Sequence, residues 1–582
     1  MWGLSSGGWR QGTPFNRETG AWQTVCTDRF PSFVALRQGG LSLGAVPCCI
    51  PLHHIKHEPA AVAAIDFGSI STTVMLRQGE RVQPAVLPEC MHARLLGRTP
   101  DADVLREELL PQDVLLPNAL VEATYYSVMD MFRDQPEAWN AVLTDGHIYY
   151  HGSLGQLIEK AAGTLYYDLK WGGEPYSLRC LRLFLKQVMT QASLSARLWG
   201  SPSVSWRVSM PNAMPPHKQE AYLELMRGLA REGAAETGLP LSPDGPAVLY
   251  ATENQADGLY FLSRSEANAH SGYLNLDIGG STTDLSLWLL NATHATIECS
   301  LRLGCRQMLF DSLGENHLAD LETDFSQGSA ALAGAVRQTA AALRRESATA
   351  RGRLKCMFLM DDLFAAYAQD IREAMAVSRA TGRIGYVESL LLFEIGFLYY
   401  LSGEVLHRAW QDEELRPLLP ERMALCIAGN GGQLVKIFTD EQQTRLCSLA
   451  LSRLEDGHPL RVVLPIQSRH PKQEVARGLL CPDAPLSSAI QGLERWNGTR
   501  AFGESERENL LLGYLPLFYR VFPQAANRLM PNAFEGANGD ALTATAAMEL
   551  DTIFENEKPR TPEDDMAMYV RCFMHLKRLW RL

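Results

Sequence analysis

The sequence is short of several features that would assign it to a class at once. Its twelve cysteines are scattered over 582 residues, and none forms a C-x-x-C pair. Small secreted scaffolds are far denser in cysteine, so the expectation is reduced thiols in a cytoplasm. The N-terminal stretch "MWGLSSGGWRQGTPFNRETG" has no apolar h-region, so no secretory signal is expected. No apolar run approaches the roughly 20 residues of a membrane span. The longest such patch, Ser389–Leu406, is broken by Glu394, Gly396 and Gly403, and its spacing suits a buried helix. Positive charge is also lacking: the formal net charge is -12 and the pI about 5.7. General binding to nucleic acid or to an anionic membrane is therefore not expected.

What is present fits a globular chain with substantial cores: 46% of residues are apolar and 21% charged. The length implies two to four domains. Residues 1–60 are rich in Gly, Pro and Ser and read as an irregular extension. Within them "CCIPLHHIKHEP" holds Cys48, Cys49, His53, His54 and His57, but adjacent cysteines are not the usual zinc-ligand spacing, and a polar turn is expected. Further on, Ser177–Gly200 has helical spacing, and Ser205–Pro211 reads as a buried strand. Pro216–Ala234 reads as an amphipathic helix with Pro in its first turn, and Ala247–Arg264 as a strand entering a helix. Residues 325–410 look almost wholly helical. Arg422–Phe438 reads as strand, glycine turn and helix start, and Arg461–Leu480 as strand, loop and helix. The last hundred residues read as helices. The final one begins at Thr561 and Pro562 and carries an apolar stripe of Met566, Tyr569, Val570, Phe573, Leu576 and Trp580.

Two stretches share one design. "AVAAIDFGSISTTVMLR" and "LNLDIGGSTTDLSLWL" each run strand, Asp, Gly, hydroxyl residues, strand. A turn built from Gly and Ser/Thr presents successive backbone N–H groups, a nest for phosphate oxygens that glycine lets come close. The carboxylates of Asp66 and Asp277 would repel phosphate directly. They make sense with a hydrated Mg2+ between, because Mg2+ keeps waters and takes few carboxylates. One such turn is a common hairpin; two, with a third Gly-rich turn at "AGNGGQ", point to a nucleotide.

The set resembles the actin / sugar kinase / heat-shock-chaperone ATPase superfamily, and within it the nucleotide-binding domains of DnaK-like chaperones. The matching segments, in order, are "IDFGSISTTV", "ATENQADGL", "LDIGGSTTDLS", "LCIAGNGGQLVKI" and "HPKQEVARGLL", spanning residues 61–482. The resemblance implies an α/β, two-lobed actin-like ATPase fold made of two ribonuclease-H-like subdomains. Lobe I would be 61–268, lobe II with the return connecting helix 269–482, and a helical C-terminal extension 483–582. It implies ATP and Mg2+ as cofactors, with Asp66 and Asp277 as the metal-water carboxylates. Gly68, Ser69, Ile70 and Ser71 match the first phosphate loop, and Gly279, Gly280, Ser281 and Thr282 the second. Thr282 lies nearest the γ-phosphate, and Glu253 orients metal or attacking water, with Gln255 as the other candidate. Gly429, Asn430, Gly431 and Gly432 match the adenosine turn, where positive φ and close approach to base or ribose are expected at Gly431.

The departures are specific. The chaperone's catalytic lysine has only Gln156 or, further on, Lys160 near its place, and actin's phosphate lysine is replaced by Thr73. After Pro482 about a hundred residues remain, too few for the chaperone's peptide-binding domain. The resemblance thus implies a slowly hydrolysing, chaperone-like ATPase acting as a nucleotide-dependent switch on a protein partner. No nucleic-acid partner and no membrane span are expected. The alternatives are an actin-like ATPase that self-assembles into filaments, a non-hydrolysing ATP-binding scaffold and, last, a small-molecule kinase, for which no general-base Asp is evident.

Overall fold

The computed structural model describes residues 10–15, 22–26, 33–38, 41–47, 59–85, 124–131, 146–150, 164–167, 169–171, 175–211, 214, 216–264, 272–289, 297–301, 304–306, 318–326, 328–346, 350–380, 385–439, 441–443, 446–447, 461–462, 466–482, 484 and 486–488. The Cys/His cluster at 48–57, Gln156, Lys160 and the C-terminal helical stripe lie outside these residues. The chain divides into two compact units. One is Met1–Val208 with Glu220–Tyr250, and the other is Ser209–Gln219 with Ala251–Leu582.

Residues 1–60, expected to be irregular, hold two antiparallel hairpins. Strand β1 (Arg10–Phe15) pairs β2 (Trp22–Cys26), and β3 (Phe33–Gln38) pairs β4 (Leu41–Pro47). The sequence signal for the second was a Gly-Gly pair between two apolar runs, a favoured hairpin link.

The sheet of the first unit is built from β5 (Ala61–Phe67), β6 (Ser71–Gln78), β7 (Arg81–Pro84), β8 (Thr124–Met131), β9 (Gly146–Tyr150), β10 (Thr164–Tyr166), β11 (Val204–Met210) and β12 (Val248–Thr252). The order is β10-β8-β6-β5-β11-β12, with β7 on β6 and β9 on β8. Helix α1 (Pro175–Leu198) makes the crossover from the antiparallel strands to β11, which lies parallel to β5. Helix α2 (Pro216–Thr237) starts on a proline, whose missing N–H has no partner to lose there, and stops at Gly238 in the left-handed region (φ 66). Phe67, the last residue of β5, packs on Phe184 of α1 and Tyr222 of α2 at ring separations of 5.9 and 6.1 Å. That pairing anchors the strand end where the first hairpin turns.

The second unit opens with α3 (Glu253–Leu262), then β13 (Gly272–Ile278), β14 (Thr283–Leu289) and β15 (Ile297–Leu301). The helical stretch follows as α4 (Leu318–Asp324), α5 (Ala330–Glu346), α6 (Ala350–Ala366), α7 (Ala368–Ala380) and α8 (Tyr386–Gln411). The chain then forms β16 (Arg422–Ala428), β17 (Arg461–Val462), β18 (Ile466–Gln467) and α9 (Glu474–Leu479). The sheet order is β15-β14-β13-β16-β17, with β18 also on β16. Leu274, Leu276, Leu285, Leu287, Leu425 and Ile427 line one face, where the helices build the core. Helix α8 is the buried helix that its spacing implied. Its segment Leu390–Gln411 is long and apolar enough to cross a membrane, yet 94% of that window is buried inside the protein.

Both units are mixed α/β, and their sheets repeat one connectivity. In the first, β5 pairs β6 antiparallel, β6 pairs β8 antiparallel, and β5 pairs the later strand β11 parallel. In the second, β13, β14, β15 and β16 stand in the same relations.

Helices α3 and α9 meet with almost no space between them. A Cβ built on Gly478 would lie 1.6 Å from the carbonyl oxygen of Ala256, and one on Gly258 would enter the Trp288 ring. Gly478→Ala should therefore lower stability by about 1–3 kcal/mol or more, since backbone cannot step aside as a side chain does. Gly228→Ala, in α2 with nothing within 4 Å of the new methyl, should raise it by about 0.5–1 kcal/mol. Urea midpoints for the two variants check this; a neutral Gly478→Ala would contradict the packing.

Candidate functional site

In the first unit, Asp66 is the penultimate residue of β5, and Gly68–Ser71 leads into β6. The Gly68 N–H donates to the Ser71 carbonyl at 3.1 Å. A Cβ at Gly68 would stand 2.5 Å from that same oxygen, which is why the turn begins on glycine. Strand β8 holds the turn from behind. The Ser127 hydroxyl donates to the Gly68 carbonyl at 2.6 Å, and its N–H to the Ile70 carbonyl at 2.7 Å. The Gly68, Ile70 and Ser71 carbonyls are thus occupied inside the protein. Among the described residues none accepts from the Ser69 or Ile70 N–H, and none is a hydrogen-bond partner of the buried Ser71 hydroxyl.

The second unit repeats this turn residue for residue. Asp277 is the penultimate residue of β13, and Gly279 N–H donates to the Thr282 carbonyl at 2.8 Å. A Cβ at Gly279 would lie 2.9 Å from that oxygen. Here residues 304–306 do the holding: Cys305 N–H donates to the Gly279 carbonyl and Arg306 N–H to the Gly280 carbonyl, both at 2.9 Å. Gly304 passes so close that a Cβ would be 2.6 Å from the Gly280 carbonyl. No described residue accepts from Gly280, Ser281 or Thr282 N–H. The Ser281 hydroxyl, on a side chain with 3% of its surface exposed, also has no hydrogen-bond partner among the described residues.

The Gly-rich turn after β16 packs on this second hairpin. Gly429 has φ 73, and a Cβ there would fall 2.2 Å from the Asp277 Oδ1. Gly431 is not in the left-handed region, so the expectation of positive φ belongs to Gly429 instead. A Cβ on Gly431 would meet the Ile278 side chain at 2.5 Å and its carbonyl at 2.7 Å. These glycines are required by contact with β13 itself, before any ligand is considered. Asn430 caps a short 3-10 helix, Gly431–Ile437, and Gly432 sits over Ile427.

Glu253 is buried at the first position of α3. The preceding Thr252 is the N-cap: its hydroxyl accepts from Gln255 N–H and donates to Glu298, both at 3.1 Å. Helix α3 covers the polar face of the second sheet. Register places Asn275, Asp277, Asp284, Ser286, Glu298 and Ser300 on that face, opposite the leucines. Asn275 Nδ2 donates to Asp257 of α3, and the Tyr273 hydroxyl donates to the Gly258 carbonyl at 2.7 Å.

The structure also brings up residues that the sequence reading passed over. Thr73 points its hydroxyl at Thr124, 3.0 Å away and buried. Trp171, in the segment after β10, comes to the first hairpin: its indole N–H donates to the Ser69 hydroxyl at 2.9 Å, and the ammonium of the adjacent Lys170 lies 5.9 Å from the Trp171 ring centre. Only the Lys-Trp pair beside a glycine turn hinted at this in sequence. In the second unit, Lys472 adopts φ 76, a left-handed backbone uncommon outside glycine. Its charge and that of Arg306 act on Asp361 of α6.

The Asp361 carboxyl is pushed up to about 7, chiefly by withdrawal from water, against the pull of Lys472 and Arg306. Its ordinary value is 3.8, so the folded chain holds a proton that the unfolded chain releases between those values. The stability this group contributes is complete below its unfolded pKa and is lost as pH rises through about 7. Burial does the same to Glu388, also pushed up to about 7 although Arg379 pairs with it. Asp361→Asn should therefore flatten part of the decline in melting temperature between about pH 4 and 7, with a gain of a few degrees at the upper end. A uniform shift at every pH would mean that the carboxyl is not the titrating group.

No protein-family model matches the chain, and no curated protein matches it.

Proposed function

We propose that this chain binds Mg-ATP and hydrolyses it slowly, on a two-lobed actin-like ATPase fold with a ribonuclease-H-like sheet in each half. The observation that carries this reading is the repeated hairpin. Two turns of identical register each begin on a glycine and follow an Asp that is the penultimate residue of its strand. In each, three turn carbonyls accept hydrogen bonds from the protein, and backbone N–H groups have no acceptor among the described residues. Such a turn favours an oxyanion by its exposed donors. The common strand connectivity of the two sheets supports the fold assignment.

In this reading Ser69, Ile70 and Ser71 on one hairpin, and Gly280, Ser281 and Thr282 on the other, hold phosphate oxygens. The buried, unpartnered hydroxyls of Ser71 and Ser281 fit that role, since such groups are costly without a partner. Asp66 and Asp277 keep partial exposure at their strand ends and fit outer ligands of a hydrated Mg2+. When bound, Mg2+ would neutralise phosphate charge. Lys170, the chain neighbour of the Trp171 that binds Ser69, is the residue to which we assign the missing lysine's charge. Thr282 donates toward the terminal phosphate, and Glu253 orients the attacking water and accepts its proton late. Turnover would serve as a nucleotide-dependent switch on a protein partner. Sedimentation with and without ATP separates that switch from filament formation.

Asp66→Asn and Asp277→Asn should each weaken the Mg-dependent part of ATP binding about tenfold or more in calorimetry. Unaltered Mg dependence in both variants is incompatible with the metal assignment.

Thr282→Val and Glu253→Gln should lower turnover by about 100-fold while changing ATP affinity far less, because their contacts are to the terminal phosphate and water. Parental rates in both would remove the catalytic roles. An ATP-binding parental chain with no measurable turnover would leave a nucleotide-gated scaffold.

A further inference from the structure

Trp171 stands at a place no phosphate-binding turn requires an indole. Its N–H donates to the Ser69 hydroxyl at 2.9 Å. Ser69 is itself buried, in a turn whose backbone is held from behind by Ser127. An indole nitrogen only donates, whereas a serine hydroxyl has one proton and two lone pairs. With one lone pair occupied by Trp171, the Ser69 proton is directed away from the ring. A hydroxyl that accepts a hydrogen bond also becomes a better donor. The ring has a second neighbour, the ammonium of the buried Lys170, 5.9 Å from its centre. That is within the distance at which a ring face attracts a cation.

We infer that Trp171 is a positioning residue for the oxyanion site of the first hairpin: it sets the direction of the Ser69 hydroxyl proton and the place of the Lys170 ammonium, so that both meet a phosphate oxygen of the nucleotide. The inference rests on the nucleotide reading above. Trp171 need not touch the ligand; it acts through Ser69 and Lys170. An indole used only for packing would show no link to Ser69 in binding.

The test is a double-mutant cycle on the full chain, with Mg-ATP titrated into the parental protein, Ser69→Ala, Trp171→Phe and the double variant by calorimetry. Trp171→Phe keeps the aromatic ring and removes the N–H. Each single variant should lose about threefold to tenfold in affinity, and the double should lose little more than Ser69→Ala alone. Multiplying losses would show that Trp171 does not act through Ser69 and would overturn the inference. A second readout survives a folding failure of Trp171→Phe: in Ser69→Ala, which keeps every tryptophan, the change in indole emission at saturating Mg-ATP should be smaller than in the parental chain. An equal change overturns the inference. A folded parental chain that binds no Mg-ATP overturns the nucleotide reading and this inference together, whereas parental binding with independent losses removes this inference alone.

Discussion

The peptide carbonyls of two short turns face into the protein, and much of the candidate site follows from that constraint. At Gly68–Ser71 the acceptors are held by Ser127 and by the turn's own first N–H. At Gly279–Thr282 they are held by the N–H groups of Gly279, Cys305 and Arg306. A peptide plane fixes its N–H opposite to its C=O. Holding the carbonyls therefore aims the intervening N–H groups the other way. Glycine is needed at the head of each turn for a local reason: a methyl would strike the carbonyl that closes the turn. The anion binding we propose would thus be a backbone property, and the neighbouring strand or segment that holds each turn in place is as much part of it as the turn.

In the second unit this constraint extends further. The turn after β16 lies so close to β13 that Gly429 has no room for a side chain beside the Asp277 carboxylate. The left-handed backbone at Gly429 brings the chain there. The carboxylate is then confined by backbone on one side and by the polar sheet face on the other. Loss of either glycine contact would move Asp277 before it changed any ligand contact. The same economy of space recurs where Gly478 of α9 meets Ala256 of α3, so the helix bearing Glu253 has little freedom relative to its sheet.

Much of the secondary structure was legible because its signals are local. Pro216 and Gly238 bracket α2, the apolar spacing of Ser389–Leu406 gives α8, and each hairpin is written as strand, Asp, Gly, hydroxyls, strand. The site was legible only in part. Asp66, Asp277 and the glycine turns stand where the pattern located them along the chain, because their spacing is local too. Trp171 was not legible: it is far from Ser69 in sequence, and no periodicity links a residue after β10 to a turn after β5. Residues 304–306 were missed for the same reason. The role of Gly431 was misread because a glycine pattern does not say which member takes positive φ. That depends on the tertiary contact with Ile278 and Asp277.

The two turns share a backbone but differ in what lies beneath them, and this difference carries chemical meaning. Behind the first turn, β6 presents Thr72 and Thr73, which pair with Ser127 and Thr124 through neutral hydroxyls at 2.9 and 3.0 Å. In the second unit the residue opposite Asp277 is Asp284, and Glu298 follows on the next strand of the same face. Carboxylates gathered on one face repel an oxyanion and one another unless a cation or a proton intervenes. Against those carboxylates the second turn has Arg306, whose N–H holds the Gly280 carbonyl. One backbone device is thus set on two different polar floors, neutral hydroxyls in the first unit and carboxylates in the second.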